Sequence, residues 1–271
     1  MNLIILFLFG LGLVWGSFLN VVIWRMPRGK SVADGRSICP KCKHVLAWKY
    51  NIPLLSYVFL RGKCAYCHKS ISIRYPLIEF MTGIFFVWWF AVGFNFFKLV
   101  GSPWSYIQPV FWLVTGLVMF TILVIDLLYM VIPFGLNLTL FSLALAYRVG
   151  LTSFGIMNSA DFFRALASGA GVCLLFVFLQ AVTKAVKKVD GFGLGDIYLA
   201  PSLGLLLGWP KILPGMFSAF VLGSVVGLIL IATKKKKMTQ YLPFGPFLII
   251  GTAISLLWGS AIWTWYMSLI V

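Results

Sequence analysis

The chain has 271 residues, of which 61% are hydrophobic and 10% are charged, and its mean hydropathy is +1.00. Soluble globular domains have about 45–50% apolar and about 25% charged residues, so this composition excludes an ordinary soluble protein and predicts a multi-pass membrane protein. The formal net charge of +16 is compatible with nucleic-acid binding, but the basic residues are not interleaved with aromatic ones as in a binding module. We therefore expect no nucleic-acid partner.

Eight apolar segments approach the roughly 20 residues needed to cross the hydrocarbon core of a bilayer. The sequence thus predicts an all-α integral membrane protein with about eight transmembrane helices, the sixth of them short. The first segment has neither the basic start nor the cleavage site of a signal peptide, so we expect it to be retained. In chain order, the predicted helices cover residues 2–24, 77–97, 109–129, 131–150, 162–183, 196–210, 212–232 and 245–268.

The predicted organisation has three parts: a first helix at 1–24, a polar insert at 25–76, and a seven-helix membrane domain at 77–271. Eleven of the 22 lysine and arginine residues lie in the insert. Two further basic groups, at 184–188 and 234–237, fall on the same side of the membrane as the insert if all eight helices cross it. By the positive-inside rule this is the cytoplasmic side, and both termini lie on the opposite side.

Four of the five cysteines lie in the insert as two C-x-x-C pairs, Cys39 with Cys42 and Cys64 with Cys67. About 20 residues separate the pairs, which is the spacing of a four-thiolate zinc site. We expect a structural zinc, because no ligand position stays open and the insert has few apolar residues for a core of its own. Disulfides are an alternative, although they are rare in the cytoplasm. Cys64 to His68 also matches a c-type haem attachment pattern, which leaves the first pair unexplained.

Two of the six acidic residues, Asp126 and Asp196, are candidates for a catalytic pair. Asp126 lies near the end of the third predicted helix and Asp196 at the start of the sixth, so both are expected near the cytoplasmic edge of the membrane. Carboxylates at membrane depth are costly and mark functional sites by default. If the two face each other, they share one proton, and one activates a water while the other polarises a carbonyl. The alternatives are that Asp196 caps a helix and that Asp126 is a satisfied polar residue between helices.

Three glycines precede the second aspartate, at Gly191, Gly193 and Gly195. Glycine allows close backbone approach and dihedral angles that a side chain forbids, so we expect a supporting loop that lets an extended substrate reach Asp196. The run is unlike a dinucleotide fingerprint, because its final glycine is replaced by the aspartate and no strand precedes it.

Together these motifs make the chain similar to the bacterial prepilin peptidases, a family of GxGD-type aspartic proteases. Residues 16–27 resemble the opening motif of the family, and the insert resembles its cysteine-containing domain. Asp126 with the following Ile132-Pro133 resembles the first catalytic motif, and residues 193–196 resemble the second. The resemblance covers nearly the whole chain.

This resemblance implies an endopeptidase of the bacterial inner membrane that cleaves the basic leader from type IV prepilins or pseudopilins at the cytoplasmic membrane edge. It implies Asp126 and Asp196 as catalytic residues, and prepilins and the lipid bilayer as partners. Relatives with the cysteine-containing domain also methylate the new N-terminal residue, so S-adenosylmethionine is implied as a methyl donor. No donor site is readable from the sequence.

Two other classes of protein share part of this pattern. A proton-coupled transporter also uses intramembrane carboxylates, but it predicts polar groups spread through the membrane depth rather than acids at one edge. A membrane-anchored zinc-ribbon binding module explains the cysteines and leaves the segment 191–196 unexplained. A leader peptidase accounts for both features.

Overall fold

The structure is a computed structural model that describes residues 2–33, 35–97, 101, 103–187, 193–234 and 241–270, and this part of the chain is almost entirely helical. It contains no β-strand among those residues and two isolated β-bridges, both in the insert. The predicted all-α class is confirmed. The α-helices are α1 (Asn2–Arg25), α2 (Leu55–Phe59), α3 (Arg74–Trp88), α4 (Phe94–Phe96), α5 (Trp104–Tyr129), α6 (Phe134–Ser153), α7 (Ser159–Lys187), α8 (Leu194–Leu207), α9 (Ile212–Ala232) and α10 (Gly245–Ser268).

Seven helical segments in the described ranges are long and apolar enough to cross a membrane. They are α1, the continuous run from α3 to α4, and α5, α6, α7, α9 and α10. The predicted multi-pass membrane architecture is therefore confirmed. The sixth predicted helix is α8, which has 14 residues. At 1.5 Å per residue it is about 21 Å long, shorter than the hydrocarbon core of about 30 Å.

The helices group into two compact units, the first covering Met1–Leu117 and the second Val118–Val271. The first unit contains α1 to α4, the insert and the beginning of α5. The second contains the end of α5 and α6 to α10. The boundary falls inside α5, and the three-part division expected from the sequence stays a prediction.

Helices α1 and α3 of the first unit touch through their backbones. A Cβ atom added to Gly12 would lie 2.7 Å from the Cα atom of Gly83, and one added to Gly16 would lie 2.6 Å from the Cα atom of Glu79. Neither position has room for a side chain. Small residues of this kind let membrane helices approach closely, which favours association where water does not drive apolar surfaces together.

Helix α8 is the core of the second unit. It packs against α6, α7 and α10, and ten of its 14 residues are buried. The backbone of Gly204 contacts that of Gly169 on α7. A helix that is apolar on all sides is expected to be enclosed by others, and α8 fits this rule.

Replacing Gly12 with alanine is expected to weaken the packing of α1 on α3. The new methyl group would meet the Thr82 carbonyl oxygen and the Gly83 Cα atom, both at 2.7 Å, and both belong to backbone that cannot move aside. Overpacking of this kind costs about 1–3 kcal/mol, so the melting temperature of the purified protein should fall by roughly 3–10 °C.

Gly10→Ala is the matched control for this substitution, because it lies on the same helix and no atom lies within 4 Å of the added Cβ. Its melting temperature should stay the same or rise slightly, since alanine is the better helix former. Equal losses in the two variants would contradict direct backbone contact at Gly12.

Candidate active site and metal centre

Asp126 lies in the last turn of α5 and is buried, with 5% of its surface exposed. Ile122 and Ile125 on the same helix are fully buried. The backbone amide of Gly245, the first residue of α10, forms a hydrogen bond with the Asp126 carboxyl group. A Cβ atom on Gly245 would lie 2.6 Å from Asp126 Oδ2, so glycine is needed for this approach. The end of α5 and the start of α10 together hold the carboxyl group.

Asp196 is the third residue of α8 and is 7% exposed. The Gly193 backbone N–H donates to Asp196 Oδ2 at 3.2 Å, and the Asp196 N–H donates to the Gly193 carbonyl at 3.1 Å. The carboxylate therefore closes the first turn of the helix, as an acid at this position often does. The alternative that Asp196 only caps a helix explains this local contact. It does not explain why Asp126 is also buried.

The structure brings the two aspartates together in the second unit, where they are close enough to interact electrostatically. Ile132, in the connection between α5 and α6, lies beside the backbone of both Gly195 and Gly245. A Cβ atom added to Gly195 would lie 3.0 Å from the Ile132 side chain, and one added to Gly245 would lie 3.2 Å from it. Two buried carboxyl groups in the same region can supply an acid and a base to one substrate.

The glycines predicted to support Asp196 have different environments. Gly195 is needed for the close contact with Ile132. Gly193 is exposed and has ordinary extended backbone angles, so its backbone beside Asp196 is accessible. Gly191 lies outside the described residues. The sequence did not identify Gly245, which has no acidic or polar neighbour in the chain to mark it.

Asn137 on α6 is a second residue whose role beside the site was not predicted from the sequence. Its Nδ2 donates to the Tyr198 carbonyl of α8 at 2.7 Å, and its Oδ1 accepts a hydrogen bond from the Ser202 hydroxyl at 2.9 Å. Both side chains are buried. Pro201 interrupts the helix hydrogen-bonding pattern of α8 here, because it has no N–H. Asn137 thus fixes α8 about one turn beyond Asp196.

The four predicted metal ligands, Cys39, Cys42, Cys64 and Cys67, form one cluster in which all sulfur atoms lie within 4.8 Å of one another. The Sγ atoms of Cys39 and Cys67 are 4.0 Å apart. Zinc–sulfur bonds of about 2.3 Å in a tetrahedron require sulfur atoms about 3.8 Å apart, so the cluster fits such an ion. All five cysteines of the chain are free.

Two similar turns present these cysteines. In the first, the Cys39 N–H donates to the His44 carbonyl and the Lys43 N–H donates to the Cys39 carbonyl. In the second turn, the Cys64 N–H donates to the Lys69 carbonyl and the His68 N–H donates to the Cys64 carbonyl. Each turn therefore offers two thiols from one tight loop, as the C-x-x-C spacing predicted.

The Cys39 and Cys42 thiols affect each other's ionisation. Burial raises the pKa of Cys39, but hydrogen bonds from the backbone of Cys42 and Lys41 and from neighbouring thiols outweigh this effect and lower the pKa to about 7. A backbone hydrogen bond at His44 lowers the pKa of Cys42, but burial and the contacts with Cys39 and Cys67 raise it to about 11. A thiolate is the form that binds metal. The four cysteines together can hold a metal ion without any other ligand.

The chain matches two protein families along most of its length. Residues 10–92 match the family described as Bacterial Peptidase A24 N-terminal domain. Residues 113–228 match the Type IV leader peptidase family. The first match contains all four clustered cysteines, and the second contains both aspartates.

Several curated proteins named prepilin leader peptidase/N-methyltransferase are similar to this chain. One from Myxococcus xanthus is 39% identical over 232 residues, which cover 83% of this chain and 62% of that protein. One from Aeromonas hydrophila is 32% identical, and the alignment covers 97% of this chain and 93% of that protein. One from Burkholderia pseudomallei is 33% identical, and the alignment covers 92% of this chain and 84% of that protein. No solved structure matches the chain.

Replacing Asn137 with alanine is expected to destabilise the second unit. The change leaves the buried Ser202 hydroxyl without its acceptor and the Tyr198 carbonyl without the Asn137 donor. Unsatisfied buried groups cost about 1–3 kcal/mol each, so a thermal unfolding assay should show a clear loss. Thr139→Ala is the control, because Thr139 lies on the exposed side of the same helix and bonds only its own backbone at Gly135. A similar loss in both variants would contradict this role for Asn137.

Proposed function

Because this chain belongs to the Type IV leader peptidase family, we propose that it is a membrane aspartic endopeptidase that removes the leader peptide from type IV prepilins or pseudopilins. The family and the class of enzyme expected from the sequence are confirmed by the matches. The transporter alternative is not supported. The observation that carries the proposal is the pair of buried aspartates, Asp126 and Asp196, in the second unit.

In the proposed mechanism, Asp126 and Asp196 hold one proton between them. The ionised carboxylate removes a proton from a water molecule, which attacks the carbonyl carbon of the scissile peptide bond. The protonated carboxyl group hydrogen-bonds the carbonyl oxygen as negative charge develops there. The tetrahedral intermediate then collapses, the C–N bond breaks, and the leaving amine takes a proton from the pair. Both groups are needed in every cycle because each is acid in one step and base in another.

The surroundings of the pair suit a peptide substrate. Gly193 leaves an exposed stretch of backbone directly before Asp196, where an extended peptide can approach the carboxyl group. The Gly245 amide hydrogen-bonds Asp126, and the Gly193 amide hydrogen-bonds Asp196, so each amide orients one carboxyl group. We therefore assign Gly193 both to orienting Asp196 and to substrate access, and Gly195 and Gly245 to the geometry of the pair.

We assign the site to the cytoplasmic face of the bacterial inner membrane. If α8 crosses together with the seven longer helices, the end of α5 and the starts of α6, α8 and α10 lie on one side. The insert and the basic residues Lys184 and Lys234 fall on that same side. The positive-inside rule then makes it cytoplasmic, where the basic leader of a prepilin meets the membrane.

We also propose that the cysteine cluster binds one structural zinc ion and that the enzyme methylates the new N-terminus with S-adenosylmethionine. The cluster supplies four sulfur ligands and leaves no open position for catalysis. Zinc would hold the two cysteine turns of the insert together. Methylation is supported by the names of the similar proteins, which include N-methyltransferase.

Asp126→Asn and Asp196→Asn are each expected to lower the rate of prepilin cleavage by about a thousandfold, because loss of a general acid or base typically costs about 10²–10⁴-fold. Cleavage by purified protein is followed as the loss of leader mass. Asp161→Asn is the matched control, since Asp161 is exposed and forms its ion pair with Arg164 on the surface. If either the Asp126 or the Asp196 variant inserts normally into the membrane and still cleaves at the unmodified rate, that residue is not catalytic and the assignment is wrong.

Metal analysis of protein purified without chelators is expected to give about one zinc per chain. Cys39→Ser should lower this content strongly and destabilise the insert, because three thiolates leave the site incomplete. Cys173→Ser is the control, because Cys173 lies on α7 outside the cluster. Zinc-free protein, or equal zinc content in the two variants, would refute the site.

A further inference from the structure

The short helix α2 of the insert has an exposed face that is entirely apolar. Leu55, Val58 and Phe59 are 53%, 69% and 81% exposed. Their spacing of three and four residues places them on one side of a helix. Single exposed apolar residues are ordinary on a protein surface, but three adjacent ones in a polar insert mark an interaction surface. These three residues are called the α2 face below.

The opposite side of α2 is held by the rest of the insert. The Ser56 hydroxyl donates to the Lys49 carbonyl at 3.0 Å and accepts from the Ile52 N–H at 2.9 Å. Tyr57 and Leu60 line a cavity between the insert and the adjoining ends of α1 and α3, whereas the three residues of the α2 face do not line it. The α2 face is therefore directed away from the insert and cannot turn inward.

The end of α1 marks the edge of the membrane beside this helix. The Arg28 guanidinium and the Lys30 ammonium lie 4.8 and 5.1 Å from the ring of Trp24. Tryptophan and basic residues are typical of the membrane–water interface. Asn20, one turn before Trp24, donates to the Tyr75 carbonyl of α3 at 3.0 Å. Tyr75 therefore lies on the membrane side of the level marked by Trp24.

A hydrogen bond ties the start of α2 to the same level. The Leu54 N–H donates to Glu79 Oε2 at 2.9 Å, and Glu79 lies one turn beyond Tyr75, about 6 Å further along α3. Side chains on a helix point back toward its N-terminus, so Leu54 lies near the levels of Tyr75 and Glu79. The headgroup layer is about 5–8 Å thick on each side of the hydrocarbon core. The start of α2 therefore lies at the depth of that layer rather than in bulk water.

The charge of the insert also fits a phospholipid surface. Residues 35–78 contain eight basic residues and no acidic residue. Arg61 and Lys63, which follow α2 directly, are exposed, and within the described part of the chain neither forms an ion pair. Each basic residue near an anionic leaflet contributes about 1 kcal/mol to binding. A leaflet supplies both an apolar layer for the α2 face and phosphate groups for these cations, whereas an apolar protein partner supplies only the first.

We propose that α2 is an interfacial helix that seats the insert on the lipid bilayer. The α2 face enters the boundary between headgroups and acyl chains, and Arg61 and Lys63 contact lipid phosphates. Interfacial helices bury their apolar faces about 5–10 Å into this boundary. The contact holds the insert against the membrane that α1 and α3 cross. This inference does not rest on the peptidase proposal, because it concerns a surface of the first unit only.

Photo-cross-linking of the full-length protein in nanodiscs of phosphatidylethanolamine and phosphatidylglycerol tests this contact. A photoreactive benzoylphenylalanine replaces Phe59, Phe80 or Tyr66 in turn, and mass spectrometry measures the fraction of each peptide that gains the mass of a phospholipid. Phe80 is the benchmark, because it is exposed on the membrane helix α3. Tyr66 is the control, because it lies in the second cysteine turn with its ring 3.7 Å from that of His44, measured between centroids.

The yield of lipid adducts at position 59 is expected to resemble that at position 80 and to exceed that at position 66 about tenfold. A yield at position 59 no greater than at position 66 would overturn the inference. Excess prepilin tests the rival occupant. Adducts at position 59 that persist in its presence support the lipid contact. If prepilin removes them and leaves those at position 80, the α2 face binds substrate and the assignment to lipid is wrong.

Val58→Asp is expected to speed backbone hydrogen exchange of residues 55–62 in the same nanodiscs about tenfold, because a carboxylate keeps the α2 face in water and frees the helix to open. Val45→Asp is the matched control, since Val45 is also an exposed valine of the insert but lies outside α2. Its exchange over residues 55–62 should equal that of the unmodified protein. Equal exchange rates in the two variants would contradict insertion of the α2 face.

Discussion

Helix α8 depends on polar partners at both ends, and the candidate active site depends on α8. The helix is shorter than the membrane core and residues 202–207 at its end are buried, so the carbonyl groups there cannot rely on water. At its start, Asp196 accepts from the Gly193 N–H. At its end, the Arg148 guanidinium donates to the Leu205 carbonyl at 2.8 Å and to the Leu206 carbonyl at 3.1 Å. A short buried helix with both ends satisfied can hold a carboxyl group at a fixed depth.

The same requirement explains why the aspartates meet where they do. A carboxyl group in an apolar surrounding needs hydrogen-bond donors, and helix N-termini offer unpaired N–H groups. Asp196 uses such a group at the start of α8, and Asp126 uses the Gly245 amide at the start of α10. Two helix starts therefore stabilise two acids in the same region. Glycine at Gly245 leaves room for the Asp126 carboxyl group, and glycine at Gly195 leaves room for the Ile132 side chain. Within the part of the chain that the structure describes, no lysine or arginine forms an ion pair with either carboxyl group, which leaves both available for proton transfer.

Much of this structure was predictable because membrane helices and C-x-x-C turns are encoded locally. The predicted bounds of α9 and α10 agree with the structure at every residue. Helix α5 instead begins at Trp104, before the predicted start at Pro109, because a proline is tolerated inside a membrane helix when neighbouring groups satisfy the freed backbone. Gly245 and Asn137 were not predicted, because their roles arise from contacts with residues more than 60 positions away in the chain.

The separation of features between the two units has a chemical consequence. The aspartate pair and the residues that support it belong to the second unit, whereas the cysteine cluster belongs to the first. Peptide hydrolysis needs carboxyl groups that exchange protons with water, whereas four thiols that together complete a metal site leave no open position for a substrate. Each set of side chains is therefore held by contacts within its own unit, and neither set has to meet the chemical requirement of the other.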